Sequence, residues 1–365
     1  MLLTVTPQKS RVRKVAEALL TPHPVDRYLE IVNPLWSVDD IRAEVVGAER
    51  RTRDTVTLTL RPNRHWPGHA AGQHVQLTVE IDGVRRTRSY SVASSQHRAD
   101  GRIELTVKAM PDGTVSSFLR AAAQPGMVVH LSAPAGDFTL PAHRPERVLL
   151  ISGGSGVTPV MSMLRTLCDE GHAGEIVFVH YAFTDADIVY RAELAELTAA
   201  HPNVRVVYAF TEQSHGGDLH GLFTPEHLDA AMPSHADSEI YLCGPGPLMD
   251  AVTAHCDTAG ILDRLHTERF TAPAFVPVAD AVAGTIRFTR SDVAVANDGR
   301  TLLEQAEAAG LRPESGCRMG ICRTCTRGKA SGCVTDITSG VRSGNGAESI
   351  QLCVSVASGD VAVDL

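Results

Sequence analysis

No run in this 365-residue sequence approaches the roughly 18 consecutive apolar residues needed for a helix to span a bilayer, which excludes a membrane-spanning helix. The apolar core of a secretory leader is also missing, so the expected compartment is the reducing cytoplasm. Basic charge is not in excess. The formal net charge is −8, which excludes the cationic footprint of a nucleic-acid binder. The acidic surplus is local. Residues 1–46 carry six basic and six acidic side chains and residues 284–365 nine of each, so the surplus lies in residues 47–283. No internal repeat or low-complexity tract is present. With 43 % hydrophobic residues, the chain has material for two or three domains with real cores.

What the sequence does have is an unusual cysteine pattern. Cys317, Cys322 and Cys325 are spaced C-x4-C-x2-C, and Cys353 follows 28 positions later. This resembles the plant-type ferredoxins, whose cysteines hold a [2Fe–2S] cluster. Gly316 and Gly320 suit a backbone that wraps closely around sulfides. A structural zinc site is the competing reading, but it usually uses two short cysteine pairs, and one tight triple plus a distant single cysteine fits it poorly. Arg318, Arg323, Arg327 and Lys329 are expected to form a basic patch for docking an acidic partner, or simply a solvated face. Cys168 and Cys256 read as small core residues. Cys333 lies in a turn too close to Cys325 to be the fourth ligand.

Composition divides the rest. Residues 1–40 read as a helical N-terminal extension. Val12, Val15, Ala16, Leu19 and Leu20 fall on one side of a helix over Lys9–Leu20, with Arg11, Arg13 and Lys14 opposite, and Pro22 and Pro24 stop it. Such a helix can pack on the chain's own body or make peripheral contact at the inner face of a membrane. Residues 41–143 alternate apolar and polar between turns, as in an antiparallel β-barrel. In residues 144–270, apolar strands alternate with helices, which predicts an α/β domain with a parallel sheet. Residues 271–283, with two prolines, read as a linker. Residues 284–365 read as an α+β domain of β-grasp type carrying the cluster.

Arg88-Ser89-Tyr90-Ser91 ends a predicted barrel strand. It offers an aromatic face for a flavin ring, hydroxyls for its edge and a guanidinium for pyrophosphate. Gly113-Thr114-Val115-Ser116 then opens a helix whose N-terminus suits phosphate. Together these motifs resemble the ferredoxin–NADP reductase superfamily. The resemblance implies that Tyr90 and Ser91 touch the flavin ring, that Arg88, Ser116 and the Gly113–Val115 turn serve the phosphates, and that Ser94 beyond the first motif favours FAD over FMN.

Gly153-Gly154-Ser155-Gly156-Val157-Thr158-Pro159 follows a strand and opens a helix. It is not the G-x-G-x-x-G fingerprint, which excludes a standard dinucleotide fold. It resembles the superfamily's G-x-G-x-T-P turn for pyrophosphate and nicotinamide. Cys243-Gly244-Pro245 resembles the C-G-P motif, with one extra residue before Met249. The resemblance implies that Cys243 positions the nicotinamide without acting as a nucleophile. After Glu268, Phe270 could cover the flavin face or be a core aromatic. An arginine for the 2′-phosphate of NADPH is missing where Phe183 stands. Arg191 could substitute, although Asp185 and Asp187 would repel a phosphate, so NADPH is only slightly favoured over NADH.

A nicotinamide gives up two electrons as hydride whereas a [2Fe–2S] cluster takes one, and a flavin can stand between them. The expected path is NAD(P)H to FAD to [2Fe–2S] to an external acceptor, with the linker holding the ferredoxin module at an effective concentration on the order of millimolar. The module order resembles hybrid reductases that feed oxygenases. The leader, ending Asn33-Pro34-Leu35-Trp36-Ser37, resembles those of reductases supplying membrane di-iron acyl desaturases or alkane hydroxylases. The alternatives are a soluble Rieske or di-iron oxygenase or a haem-thiolate monooxygenase as acceptor, or a redox-sensing module without turnover.

Overall fold

A computed structural model of the chain describes residues 25–111, 113–270, 284–316, 318, 320, 323–338 and 340–365. The helix expected over Lys9–Leu20 and the linker 271–283 lie outside the described residues. A short helix that the sequence reading did not foresee, α1 (Val25–Val32), precedes the first domain. It is tied down from the barrel. Arg42, 2 % exposed, places Nη2 2.6 Å from Glu30 Oε1 and donates from Nη1 to the Pro34 carbonyl at 3.0 Å.

Alternating β-branched and polar residues build β1 (Ile41–Thr52), β2 (Thr55–Pro62), β3 (His74–Ile81), β4 (Val84–Ser91), β5 (Ile103–Lys108) and β6 (Val128–Leu131). They form one antiparallel sheet in the order β4-β3-β6-β1-β2-β5. A bridge between Val92 and Leu105 brings its two ends together, so the sheet curls into a barrel. Val45, Leu58, Leu60, Val75, Leu77 and Leu105 fill it, and α2 (Thr114–Ala122) adds Val115 and Leu119.

The second domain runs β7 (Arg147–Gly153), α3 (Val157–Asp169), β8 (Glu175–Ala182), α4 (Arg191–Ala200), β9 (Val204–Phe210), β10 (Leu219–His220), α5 (Pro225–Ala231), β11 (Glu239–Cys243), α6 (Gly246–Thr258) and β12 (Leu265–Glu268). All its strand pairs are parallel, in the order β10-β9-β8-β7-β11-β12. The chain builds outward from β7 in one direction and returns through β11 in the other. Ligands of open α/β sheets bind at such a switch, beyond the carboxyl ends of the strands.

The third domain contains β13 (Thr285–Phe288), β14 (Val293–Ala296), α7 (Leu302–Ala308), β15 (Thr326–Ser331), β16 (Val334–Asp336), β17 (Glu348–Gln351), β18 (Ser355–Ala357) and β19 (Val361–Val363). Its mixed sheet has the order β14-β13-β19-β15-β17. Thr301 and Glu304 cap α7 reciprocally, and Leu302, Leu303 and Ala306 bury it on the sheet. The expected basic patch needs correction here. The Lys329 side chain is fully buried; its Nζ donates to the carbonyls of Gly332, Gly344 and Gly346 at 2.6, 2.6 and 2.8 Å and lies 3.0 Å from Glu348 Oε1. It braces a turn because three backbone acceptors and a carboxylate replace its hydration shell. Arg318 is paired with Glu307 at 2.5 Å.

Within the parallel sheet, His180 is buried with Nδ1 2.8 Å from Ser152 Oγ, and burial pushes its imidazole down to about 4. The unfolded chain, titrating near 6.5, takes up a proton in this window that the folded chain refuses. Stability is therefore complete above about pH 6.5 and falls as the pH drops toward 4. Denaturant titrations at pH 7 and 5 should show His180→Leu losing about 2 kcal/mol less than wild type between the two. An identical loss would mean that His180 does not drive the acid limb.

Candidate functional site

The carboxyl ends of β7 and β11 meet at two loops. A Cβ on Gly156 would lie 2.1 Å from the Cys243 carbonyl oxygen, so only glycine lets these loops touch. Thr158 Oγ1 donates to the Ser155 carbonyl at 3.1 Å and closes the turn, and Pro159 follows in the first turn of α3. Gly244 and Pro245 lead into α6. Facing the Gly154–Thr158 turn across a narrow cleft are Asp54, Thr55, Thr106 and Lys108 of the barrel. Lys108 Nζ lies 3.4 Å from Asp54 Oδ2. Lys108 is thus a cation opposite a glycine turn, in a cleft that Asp187 also lines, and no local motif marks it. Arg191 stands 3.0 Å from Asp185 Oδ1, and its guanidinium lies 4.2 Å from the centre of the Tyr208 ring.

Cys243 is buried at the end of β11, paired with Glu268 of β12. Burial, and then the Glu268 carboxylate, raise its thiol well above the ordinary value, so it is neutral at physiological pH and a poor nucleophile. Glu268 accepts a hydrogen bond from Ser91 Oγ at 3.3 Å. The last residue of the flavin motif and the nicotinamide motif thus meet through one buried carboxylate. Phe270 packs against the core that contains Cys243.

Side chains alternate along β4, so Arg88 and Tyr90 share one face and Ser89 and Ser91 the other. Tyr90 packs on the barrel core, and burial pushes its phenol up. Burial, and then Arg318, lower Arg88. Ser89 Oγ is buried without a hydrogen-bond partner, as is Nδ1 of His74 opposite Ser91. The orphaned Ser89 hydroxyl is what a polar ring edge would satisfy, so this face fits a flavin, whereas His74 Nδ1 faces Glu268 Oε1 at 3.5 Å. At α2, Gly113 and Val115 frame the N-terminal turn, while Ser116 Oγ is engaged internally, accepting from the Met110 N–H at 3.1 Å. Ser94, expected beside the flavin, is engaged within the protein. It is 1 % exposed, its hydroxyl accepts from the Glu104 N–H at 3.2 Å, and its carbonyl accepts from Ser162 at 2.7 Å.

Cys325 and Cys353 are both buried, and the Gly320 N–H donates to Cys353 Sγ at 3.3 Å. Cys317 and Cys322 lie outside the described residues. Arg318, Gly320 and Arg323 all have left-handed backbone, with φ of 60°, 78° and 56°. Non-glycine residues hold that conformation only under local constraint, and successive turns of this kind aim N–H groups inward. The loop fits a cluster of anionic sulfur. Thr324, next to Cys325, lies 3.5 Å from Gln76 of β3, and Gln76 pairs with Ser89.

These sites define a three-part electron-transfer oxidoreductase, and the comparisons agree. Family models match in order: an oxidoreductase FAD-binding domain over residues 42–140, an oxidoreductase NAD-binding domain over 150–254 and a 2Fe-2S iron-sulfur cluster binding domain over 287–357. The chain belongs to this family of NAD(P)H-dependent flavin and iron–sulfur oxidoreductases. It is 38 % identical to the NADPH oxidoreductase of Mycobacterium tuberculosis, across 97 % of this chain and 92 % of that protein. It is 33 % identical to the glycine betaine monooxygenase reductase subunit of Chromohalobacter salexigens, across 72 % and 78 %. The crystal structure of phthalate dioxygenase reductase superposes with a TM-score of 0.58 at 26 % identity, covering 89 % of this chain and 97 % of that one.

Replacing Cys353 by Ser should remove the visible absorbance and low-temperature EPR signal of a [2Fe–2S] centre and leave flavin absorbance in place. An unchanged EPR signal would exclude Cys353 as a ligand.

Proposed function

We propose that this chain is the reductase of an oxygenase system: it takes hydride from NADPH and hands single electrons to an oxygen-activating partner. When bound, FAD accepts both electrons of the hydride and releases them singly to the [2Fe–2S] cluster. One observation carries the reading. Ser91 and Ser89 of β4 lie on a face that Glu268 reaches from the nucleotide domain and Thr324 from the cluster loop. The neutral Cys243 places no charge beside the nicotinamide. Arg88 and the α2 turn would hold the flavin phosphates, and Lys108 with the Gly154–Thr158 turn those of the nucleotide. Cys317, Cys322, Cys325 and Cys353 would hold the cluster. No general acid or base is needed, so positioning carries the rate.

Reductase subunits of monooxygenases among the relatives support an oxygenase as acceptor. Within that class we favour a membrane di-iron desaturase or alkane hydroxylase. Its support is the apolar surface near the chain's start: Tyr28, Ile31 and Val32 of α1 are exposed, as is Trp36. Among the described residues no helix is long and apolar enough to cross a membrane, so contact there would be peripheral. NADPH is favoured because Arg191, held over the Tyr208 ring, can meet a 2′-phosphate.

Purified protein should reduce cytochrome c with NADPH, and no turnover would leave a redox-sensing module as the reading. Added to membranes containing a di-iron desaturase, it should support NADPH-dependent product formation. Electron delivery to a soluble Rieske or di-iron oxygenase alone would overturn the membrane assignment. Arg191→Leu should raise KM for NADPH about tenfold and change KM for NADH less than twofold. Equal effects on both would remove Arg191 from 2′-phosphate recognition.

A further inference from the structure

His74 opens β3 directly opposite Ser91 and is 4 % exposed. Its backbone is fixed by the Ala135 strand segment: its N–H donates to the Ala135 carbonyl at 3.0 Å and its carbonyl accepts from the Ala135 N–H at 2.9 Å. The imidazole fits only because the next residue is Gly136, at φ 112°, where a Cβ would come within 3.0 Å of Nδ1. Nδ1 is buried and has no well-formed hydrogen bond, yet it lies 3.5 Å from Glu268 Oε1. The other carboxyl oxygen of Glu268 accepts from Ser91.

We infer that His74 is a positioning residue for the hydride step: its Nδ1–H side holds the Glu268 carboxylate, and that carboxylate holds the Ser91 hydroxyl. A carboxylate that is 8 % exposed needs donors, and Ser91 supplies one at 3.3 Å. His74 supplies a second from the same barrel. The barrel thereby grips the residue that borders the nicotinamide crevice beside Cys243. With its hydrogen committed to Glu268, Ser91 keeps its lone pairs for the flavin edge. The sub-optimal 3.5 Å contact leaves room to shorten as the two domains settle around the rings. This rests on the flavin and nicotinamide sites proposed above.

The test uses His74→Leu, which removes the donor, and His74→Asn, whose side-chain amide replaces Nδ1. In flavin-loaded protein, the Leu variant should reduce its flavin with saturating NADPH about tenfold more slowly than wild type at unchanged KM, the effect of one lost charge-assisted hydrogen bond. The Asn variant should recover to within about threefold. In flavin-free protein labelled with 15N-histidine, the imidazole resonance that either His74 variant deletes should shift in Glu268→Gln. Should the Leu variant fail to fold, the Asn variant and this resonance decide. Wild-type rates in the Leu variant, equal slowing in both variants, or an unmoved resonance would each overturn the inference alone. Wild-type protein that binds no flavin, or that NADPH cannot reduce, would overturn the proposed function together with it.

Discussion

Arg165 of α3 sets where the two nucleotide-handling domains stand. Its Nη1 donates to the Ala93 carbonyl at 2.7 Å and to Glu104 Oε2 at 2.9 Å in the barrel, while Nε and Nη2 form a bidentate pair with Glu193 at 2.6 Å each. Its guanidinium lies over Tyr190, whose hydroxyl meets Thr106 of β5 at 2.5 Å. Burial works against the charge, but the Glu193 hydrogen bonds and the nearby anions outweigh it and raise Arg165. Such a clamp contributes little net stability over an apolar contact, and breaking it is costly because the remaining charges stay buried. What it supplies is registry. Ser91 and Cys243 belong to different domains, and in the proposed function they serve one hydride only if the domains keep a fixed spacing.

From that spacing the rest follows. The glycine turn and Lys108 form opposite walls of one cleft. Glu268 bridges the crevice to the flavin motif, and the cluster loop reaches the same barrel face through Gln76. One short antiparallel pair, β3 with β4, therefore reaches both the nucleotide domain and the cluster loop. A rigid ladder suits this task because a strand fixes side-chain direction better than a loop can.

Much of this was legible in the sequence, and the rest was hidden for physical reasons. Cysteine spacing, the Gly153–Pro159 turn and the change from alternating to continuous apolar strands are local signals, and the fold class and family followed from them. Glu268 lies 177 positions from Ser91, and His74 looks like any strand histidine, so their meeting depends on topology that no local pattern carries. Lys329 was misplaced on the surface because lysine is rarely buried, and the backbone carbonyls that receive it leave no trace in residue identity. Helix α1 was missed because Pro22 and Pro24 suggested an end just where α1 begins.

The central claim is that hydride enters and single electrons leave within one polypeptide. Stopped-flow mixing of the fully loaded protein with NADPH, followed at flavin and iron–sulfur wavelengths, tests it most directly. Flavin bleaching should precede cluster bleaching, with the second phase first-order and independent of protein concentration. A cluster phase that scales with protein concentration, or no cluster reduction at all, would contradict it.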